Sequence, residues 1–280
     1  MLKPREWVKE RLHRSFLSFN TASISYLEKH PDKINWFYLS YNEAALTLLE
    51  KNQDKINWDV LSKNPCAIGM LERNMDKVDW SLLSYNPAAI HLLEKNLDKV
   101  DWSHLSGNPS AIHLLTKHQK LIDWGYLSGN PNAMELLKQN PEKIDWVMLS
   151  SNTSAIDLLE KNLDKVNWHL LSSNNAAIPI LEKNIDFIEW MTLAYNENAL
   201  PLFERFPEKA DWYWMSSNPS MIHLLEKHQD ELDWAGLSKN PAIFEYDYEA
   251  MKDKTSIFTE ELMQNRFHPK NMDKFELWGF

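Results

Sequence analysis

An all-α solenoid is the fold that this 280-residue sequence predicts, and three observations lead to it. Tryptophan recurs every 22 residues, asparagine keeps the same period, and the residues between them have helical spacing. The ten periodic tryptophans are Trp36, Trp58, Trp80, Trp102, Trp124, Trp146, Trp168, Trp190, Trp212 and Trp234. The eleven asparagines run from Asn20, Asn42 and Asn64 to Asn218 and Asn240, without insertion or deletion. A fixed period of this length is typical of repeat architectures.

The first half of each unit predicts a helix of about ten residues. In the unit LSYNPAAIHLLEKNLDKVDWSH, residues 83–104, Asn86 is a favoured N-cap and the following Pro a favoured first helical residue. Apolar residues then follow at Ala89, Ile90, Leu93 and Leu97, where separations of three, four and seven residues are helical spacings. We expect Asn96 to end the helix in the left-handed conformation.

The second half of the unit predicts a short α-helix or 3₁₀ turn from Trp102 to about Gly107. Nine of the ten residues that precede the periodic Trp are Asn or Asp, as at Asp101, and these are N-cap residues. A strand remains an alternative, since Val100, Trp102 and His104 alternate. A leucine-rich repeat does not fit, because its motif requires leucine in two columns that hold other residues here. These are Ser103, Asp59, Gly125 or His169 in one column, and Ser110, Ala88 or Asn132 in the other.

The repeat divides the chain into three parts. Residues 17–244 are tandem units, residues 1–16 form an N-terminal helical cap, and residues 245–280 form a C-terminal cap. Atypical end units of this kind cover the core that an open repeat array exposes. With neighbouring helices 8–10 Å apart, ten units predict a rod or arc on the order of 90 Å long, with the tryptophans as a continuous ridge in its core.

Composition limits the partners. The net charge of −10 argues against nucleic acid and against an anionic membrane surface. No apolar run is long enough to span a membrane, and no signal peptide is visible at the first residues. A single cysteine, Cys66, allows no internal disulfide, so we expect a reducing compartment rather than secretion.

The core xNPxAIxLLEKNxD resembles the leucine-rich variant repeat, which alternates an α-helix and a 3₁₀ helix in a superhelix without strands. It departs from that repeat by about two residues in length and by its Trp. Residues 17–244 are more closely similar to tandem LSxNPxAIxLLEKNxDKIDW proteins of large DNA viruses of the mimivirus and marseillevirus kind. This resemblance implies a viral protein in host cytoplasm or in the virion. It implies no activity for any residue.

No signature of catalysis, cofactor binding or metal binding is present, and we expect a protein that is not an enzyme. His91 and His113 share one column, but a metal site needs three or four converging ligands. An enzyme remains a weaker alternative, with a site in the non-repetitive C-terminal segment at Glu260, His268 and Asp273.

Two variable columns supply the candidate partner-binding residues. Aromatic side chains at exposed repeat positions are plausible anchors for a protein partner. The candidates are Phe19, Tyr41, Tyr85 and Tyr195 in the column between Ser and Asn, and Phe37 and Tyr213 in the column after Trp. We therefore expect a protein-interaction or scaffold solenoid that acts as an adaptor or a particle component, with viral or host protein partners.

The alternative function is a modular nucleic-acid reader with one unit per base. It would use a basic column, although glutamates lie directly beside it. That column includes Lys51, Lys95, Lys161 and Lys183.

Overall fold

The computed structural model describes residues 2–253 and 255, and it confirms a helical solenoid. Each unit contains a first turn, a helix rich in leucine, a second turn, and a helix that begins at the periodic tryptophan. We call the two helices the Leu helix and the Trp helix. In one unit the four parts are Pro87–Ala89, Ile90–Glu94, Leu97–Lys99 and Trp102–Ser106. The two predicted helical segments are therefore present, and the strand interpretation of the second half is wrong.

The Leu helices are short, because the first turn takes up the start of the predicted ten-residue segment. They are Ile24–Lys29, Leu46–Glu50, Ile68–Glu72, Ile90–Glu94, Ile112–Lys117, Met134–Gln139, Ile156–Glu160, Ile178–Lys183, Leu200–Arg205 and Ile222–Leu225. The first turn is a 3₁₀ helix at Thr21–Ser23, Glu43–Ala45, Pro65–Ala67, Pro87–Ala89, Pro219–Met221 and Pro241–Ile243.

The Trp helices are Trp36–Tyr41, Trp58–Ser62, Trp80–Ser84, Trp102–Ser106, Trp124–Ser128, Trp146–Leu149, Trp168–Ser173, Trp190–Leu193, Trp212–Met215 and Trp234–Lys239. Arg14–Leu17 is an eleventh helix in the same register, with Arg14 at the tryptophan position. The second turn is a 3₁₀ helix at Pro31–Lys33, Gln53–Lys55, Met75–Lys77, Leu97–Lys99, Gln119–Leu121, Pro141–Lys143, Ile185–Phe187, Pro207–Lys209 and Gln229–Glu231. A further 3₁₀ helix is Glu6–Val8.

Side-chain caps hold both halves of the unit. The Oδ1 atom of Asn86 accepts the backbone N–H of Ala88 at 3.0 Å, and Asp101 Oδ1 accepts that of His104 at 3.1 Å. Both predicted N-caps are confirmed. The left-handed conformation predicted for Asn96 is wrong: its φ is −137°. Instead, its side-chain amide donates to the carbonyl of Leu92 at 2.8 Å, which satisfies a carbonyl at the end of the helix.

The periodic asparagines also join one unit to the next. The Nδ2 atom of Asn108 donates to the carbonyl oxygens of Ser84 and Asn86, both at 3.0 Å and both in the preceding unit. The asparagines are 0–3% exposed, so each buried amide is fully used in a cap and in two bonds between units. A buried hydrogen bond contributes about 0.5–1.5 kcal/mol, and the ladder repeats it around the array.

The serine four residues after the periodic tryptophan forms a second ladder. The hydroxyl of Ser84 donates to the carbonyl of Trp80 at 2.7 Å and accepts the N–H of Asp101, in the next unit, at 3.0 Å. Ala194 occupies this serine column and has no hydroxyl, so the bond to the N–H of residue 211 is absent from the ladder. The cost of this substitution is confined to one junction.

Leucine and alanine columns form one continuous core, with side chains such as Leu83, Leu93, Leu105 and Ala89 fully buried. The tryptophans lie at its edge and are only partly buried, so the predicted ridge inside the core is wrong. Each ring is instead covered by the following unit. Lys99 Nζ lies 4.7 Å from the centre of the Trp80 ring, and four other lysine–tryptophan pairs have the same arrangement. Lys63, in another column, lies on Tyr85.

Aromatic side chains replace the cation where the sequence departs from the repeat. Phe187 takes the lysine position and stacks on Trp168 with ring centres 4.8 Å apart. His228 stacks on Trp212 at 3.7 Å, in a unit that has Glu231 at the lysine position. In these two units, a departure from the repeat replaces the lysine over the tryptophan ring with an aromatic side chain.

The array closes on itself. Leu2–Pro4 (β1) pairs with Phe244–Tyr246 (β2) in an antiparallel two-stranded sheet. The N–H of His13 donates to Ser238 Oγ at 2.7 Å, which continues the serine ladder. Arg11 lies 5.0 Å from the Trp234 ring, at the position that lysine takes in other units.

The asparagine ladder closes as well. The Nδ2 atom of Asn20 donates to the carbonyls of Ser238 at 3.1 Å and Asn240 at 2.8 Å, so Asn20 follows Asn240 as Asn42 follows Asn20. The eleventh unit therefore combines residues 240–246 with residues 2–18. The predicted open rod is wrong, because its length becomes the circumference of a ring roughly 30 Å across at the helix axes. The two end segments pack against each other, where we had expected each to cover a separate end.

The Trp helices form the inner side of the ring. Trp36–Tyr41 contacts Trp58–Ser62, and the same contact joins most successive Trp helices; the first turns also contact one another. Within the described part of the chain, neighbouring Leu helices make no comparable contacts. Units of a ring are closest together on its inside, so the Leu helices and second turns lie on the outer side.

Candidate functional site

The inner face of the ring collects exposed apolar side chains. Nine large apolar residues on the Trp helices, or directly after them, are at least 36% exposed. They are Phe19, Phe37, Tyr85, Tyr126, Val147, Met148, Met191, Tyr195 and Tyr213. Because the helix that carries them is fixed by the core on its opposite side, these side chains are displayed on a rigid concave surface.

All six candidate residues from the sequence lie on this face. Five are exposed, namely Phe19, Phe37, Tyr85, Tyr195 and Tyr213. Tyr41 is half-buried because its ring lies 6.0 Å from that of Phe19 and 5.8 Å from that of Phe37. The structure brings the candidates onto one surface, while their role in binding a partner stays a prediction.

Ring closure places two aromatic groups on neighbouring parts of the inner face. One contains Tyr195, Tyr213 and Trp214, whose neighbouring ring centres are 5.3–6.2 Å apart. The other contains Phe16, Phe19, Phe37, Tyr38 and Tyr41. Lys239 lies between them, with Nζ 4.4 Å from the centre of the Phe16 ring. We call the two groups, with Lys239, Lys63 and Tyr85, the aromatic arc.

Sequence reasoning missed three members of the arc: Phe16, Tyr38 and Trp214. They occupy the second position after the periodic tryptophan, which is buried or half-buried in most other units. Phe16 and Tyr38 are one unit apart, with ring centres at 5.3 Å. An aromatic residue at one column in two successive units was the signal that pointed to them.

Tyr195 is polar as well as aromatic. Burial of its hydroxyl, with the nearby Asp233 carboxylate and Tyr213, raises the pKa of Tyr195 above its ordinary value. A tyrosine hydroxyl is protonated at neutral pH in any case, so Tyr195 keeps a hydrogen-bond donor on the arc.

Small residues replace aromatic ones on the opposite side of the ring. The column between Ser and Asn there holds Gly107, Gly129, Ser151 and Ser173. A Cβ atom at Gly107 would lie 3.3 Å from Tyr85 Cε2 and 3.5 Å from Tyr126 Cδ1. This column thus has an aromatic stretch and a stretch of small residues, whereas Tyr126, Val147 and Met148 in the two other columns keep apolar side chains exposed on that side.

A serine, a histidine and an aspartate meet near the junction of two units. Ser81 Oγ donates to Asp101 Oδ2 at 2.6 Å and lies 2.9 Å from His104 Nδ1. The same Nδ1 lies 2.9 Å from Asp101 Oδ2. A catalytic relay needs the serine on one ring nitrogen and the carboxylate on the other. Since both contact Nδ1, this cluster does not have the geometry of a nucleophile and its base.

The environment of Asp101 still affects its ionisation. Partial burial raises the pKa of the carboxyl, but the bonds from Ser81, from the His104 backbone N–H and from the His104 ring together outweigh it. The net result is a lowered pKa. These bonds tie the cap of one Trp helix to the preceding unit, which is a structural role.

The histidine column on the outer side forms side-chain hydrogen bonds between units. His91 Nε2 lies 2.8 Å from Glu72 Oε1, and His113 Nε2 lies 2.7 Å from Glu94 Oε1. Among residues 2–253 and 255, no group of three or more His, Cys, Asp or Glu side chains is placed to hold a metal ion. The alternative enzyme site at Glu260, His268 and Asp273 lies outside the described residues.

Comparison of the chain with protein-family models, curated protein sequences and solved structures finds no match. The resemblance to repeat proteins of large DNA viruses therefore stays a prediction. None of the helices in the described part of the chain has the length and apolar character that crossing a membrane requires.

Proposed function

We propose that this chain is a non-catalytic scaffold, a closed ring that binds a protein partner on the aromatic arc. The observation that carries the proposal is the exposure of aromatic side chains on one concave face. Phe19, Phe37, Tyr195 and Tyr213 are each 45–51% exposed, although a fully packed core lies directly behind them. Monomeric soluble proteins rarely display a contiguous apolar patch of this kind unless it contacts another molecule.

The distribution of charge supports a protein partner over nucleic acid. Lys183 Nζ, from the basic column considered in the sequence, lies 2.6 Å from Glu160 Oε1 on the outer side. A second lysine column covers tryptophan rings, as Lys55 covers Trp36. Lys183 and the lysines over the tryptophan rings are thus engaged within the ring, and the overall charge of −10 repels phosphate.

The repeat itself suggests the biological setting. Its resemblance to tandem repeat proteins of large DNA viruses supports a viral scaffold, acting as an adaptor in host cytoplasm or as a component of the particle. In either setting the ring would present one fixed surface to a partner, without chemistry of its own.

Affinity capture tests this proposal. Tagged wild-type chain and the variant Phe19→Ser, Phe37→Ser, Tyr195→Ser would be used as bait in the source cell, with and without nuclease, and bound proteins identified by mass spectrometry. A matched control, Leu97→Ser with Tyr248→Ser, removes exposed apolar side chains elsewhere. We expect the same stoichiometric protein on wild type and control but not on the triple variant.

Three outcomes would contradict the proposal. Equal capture by the triple variant would place the interface elsewhere. Capture that disappears with nuclease would favour the nucleic-acid alternative. Turnover of a captured small molecule by the purified ring would show an enzyme. Circular dichroism must first show that the triple variant keeps wild-type helicity.

A further inference from the structure

One column of the aromatic arc runs through consecutive units across the closure. It passes from Tyr195 through Ser217 and Lys239, then continues through Phe19, Tyr41, Lys63 and Tyr85. Lys239 and Phe19 are neighbours in this column only because Asn20 hydrogen-bonds to Ser238 and Asn240. The order Lys, aromatic, aromatic, Lys is therefore produced by closing the ring.

The spacing of this column matches an extended polypeptide. The ring centres of Phe19 and Tyr41 are 6.0 Å apart, one unit to the next. Side chains on one face of an extended chain repeat every two residues, at roughly 6.6 Å. An extended chain can also follow the curvature of a concave wall, whereas a straight helix would meet several units of it only at its ends.

The charges of the column indicate what flanks the apolar part of such a segment. Lys239 and Lys63 lie on the two sides of the Phe19–Tyr41 pair. Their ammonium groups lie over aromatic rings, 4.4 Å from the centre of Phe16 and 4.7 Å from that of Tyr85. Within the described residues, neither lies within 4 Å of a carboxylate.

The variable columns of the inner face contain few charged residues. Apart from histidines, the three variable columns of the Trp helices contain one further charged residue, Asp59, which lies in a different column from the two lysines. Each lysine is thus a local cation beside aromatic side chains. A cap carboxylate near this face, that of Asp233 beside Tyr195, accepts the backbone N–H groups of its own helix and pairs with neither lysine.

We propose that Lys239, Phe19, Tyr41 and Lys63 bind an extended acidic protein segment, in which two apolar side chains two residues apart lie between two carboxylates. This inference rests on the proposed protein-binding function and names the class of its partner. Successive alternate side chains of the segment contact Lys239, Phe19, Tyr41 and Lys63 in turn.

Single-stranded nucleic acid also combines aromatic stacking with cations, but it needs a basic groove that follows the whole backbone. Two lysines across seven units, with Asp59 nearby, do not supply one. A peptide with two carboxylates matches the two isolated cations better.

The probe is a fluorescein-labelled peptide of sequence Asp-Ser-Phe-Ser-Leu-Ser-Asp, titrated with the full-length chain and followed by fluorescence polarisation. A shuffled peptide, Asp-Ser-Phe-Leu-Ser-Ser-Asp, keeps the composition but puts the apolar side chains on opposite faces of the extended chain. A third peptide has lysine in place of both aspartates. We expect the first peptide to bind about tenfold more tightly than each of the others, which corresponds to about 1.4 kcal/mol.

A charge-reversed ring gives the sharper result. In Lys63→Glu with Lys239→Glu, both substituted side chains are exposed, and unfolding temperature would verify the fold. This variant should prefer the lysine peptide over the aspartate peptide by a similar factor. Phe19→Ser should weaken both peptides.

Several results would overturn the inference. These are no saturable binding of the first peptide, equal binding of the shuffled peptide, or an unchanged preference in the charge-reversed ring. Tight binding of a fluorescein-labelled oligothymidine that competes with the peptide would assign the column to nucleic acid. If the peptide does not bind but the arc still captures a protein, the proposed function stands and its partner belongs to another class. The failure of this inference can therefore be distinguished from the failure of the proposed function.

Discussion

The side-chain amide of Asn20 donates a hydrogen bond to the backbone carbonyl of Asn240 at 2.8 Å, across 220 positions of sequence. The same bond, one unit later, joins Asn42 to Asn20 at 3.0 Å. The junction uses the same contacts that join all the remaining pairs of neighbouring units. It is therefore chemically a unit boundary like the rest. Its strength should therefore equal that of an internal boundary, with the strand pair added.

Replacing Asn20 by alanine tests this equivalence. The substitution removes two bonds between units and the cap on Ala22. Buried carbonyls are left without donors, so we expect a loss of at least about 2 kcal/mol in the free energy of unfolding. Asn130→Ala is the matched control, because it removes the same three bonds at an internal boundary.

Hydrogen exchange separates the two variants. Exchange of the backbone amides in β1 and β2 should accelerate in Asn20→Ala but change little in Asn130→Ala, since only the former loosens the junction. Equal protection of both strands in both variants would show that the strands, and not the asparagine, hold the ring closed.

Restoring the missing serine should stabilise the ring. Ala194→Ser adds a hydroxyl that can donate to the carbonyl of Trp190 and accept the N–H of Asp211, as serines do in the other units. We expect a gain of about 0.5–1.5 kcal/mol in urea unfolding. The reverse substitution, Ser172→Ala, removes bonds to Trp168 and Glu189 and should cost a similar amount. A loss of stability in Ala194→Ser would mean that the local packing has no room for the oxygen.

The position that lies over each tryptophan ring should tolerate a cationic or an aromatic side chain but not an anionic one. At Lys99, whose Nζ lies 4.7 Å from the Trp80 ring, we expect Lys99→Glu to cost about 0.5–1 kcal/mol. Lys99→Phe should be nearly neutral, because Phe187 fills the same column over Trp168. Thermal unfolding would compare them with Lys95→Glu, an exposed residue that changes the net charge equally. Similar losses in all three variants would disprove a role for the ring contact.

The hydrogen bonds to Asp101 should appear in the pH dependence of stability. Asn occupies this cap position in other units, so Asp101→Asn keeps the bond to the His104 N–H. It replaces Oδ2, which accepts from Ser81 and contacts the His104 ring, by an uncharged amide group. The folded-state pKa of Asp101 lies below the ordinary value of 3.8. The ionised carboxylate therefore contributes its full stabilisation of the fold at pH values above 3.8. It is lost as pH falls through the folded-state pKa.

Unfolding temperatures between pH 7 and pH 3 measure this effect. The advantage of wild type over Asp101→Asn should shrink toward the acid end. Ser81→Ala, which removes one of the bonds that lower the pKa, should show part of the same change. A constant difference at every pH would rule out an ionic contribution.

The anatomy of one unit could be predicted from sequence because its signals are local. Asn86 and Asp101 cap their helices as their residue types indicate, and the 22-residue period fixed which columns face the core. The conformation of Asn96 was mispredicted, because two local solutions satisfy the end of a helix and only the side-chain amide bond was formed.

Closure is not a local property. A full turn of 360° divided among eleven units requires a rotation of about 33° from each unit to the next. This small rotation depends on the relative widths of the inner and outer sides of a unit. No single column encodes it. His13 and Arg11 stand in the sequence at the positions of the cap and of the lysine that covers a tryptophan. This agreement indicates closure only when residues 2–20 are known to lie beside residues 234–246. The shared surface of Tyr195 and Phe19 follows from closure and was equally hidden.

A circle also fixes how many units the protein can have. An open array that gains or loses one 22-residue copy simply becomes longer or shorter, and each remaining boundary is unaffected. In this ring, a twelfth copy would require a smaller rotation at every boundary between units. Without that adjustment, the contact between His13 and Ser238 would be broken. Duplication and deletion of single copies should therefore be tolerated poorly, and substitutions within copies far better. The copy number of this protein is set by geometry, and its capacity to diversify lies in the side chains of its variable columns.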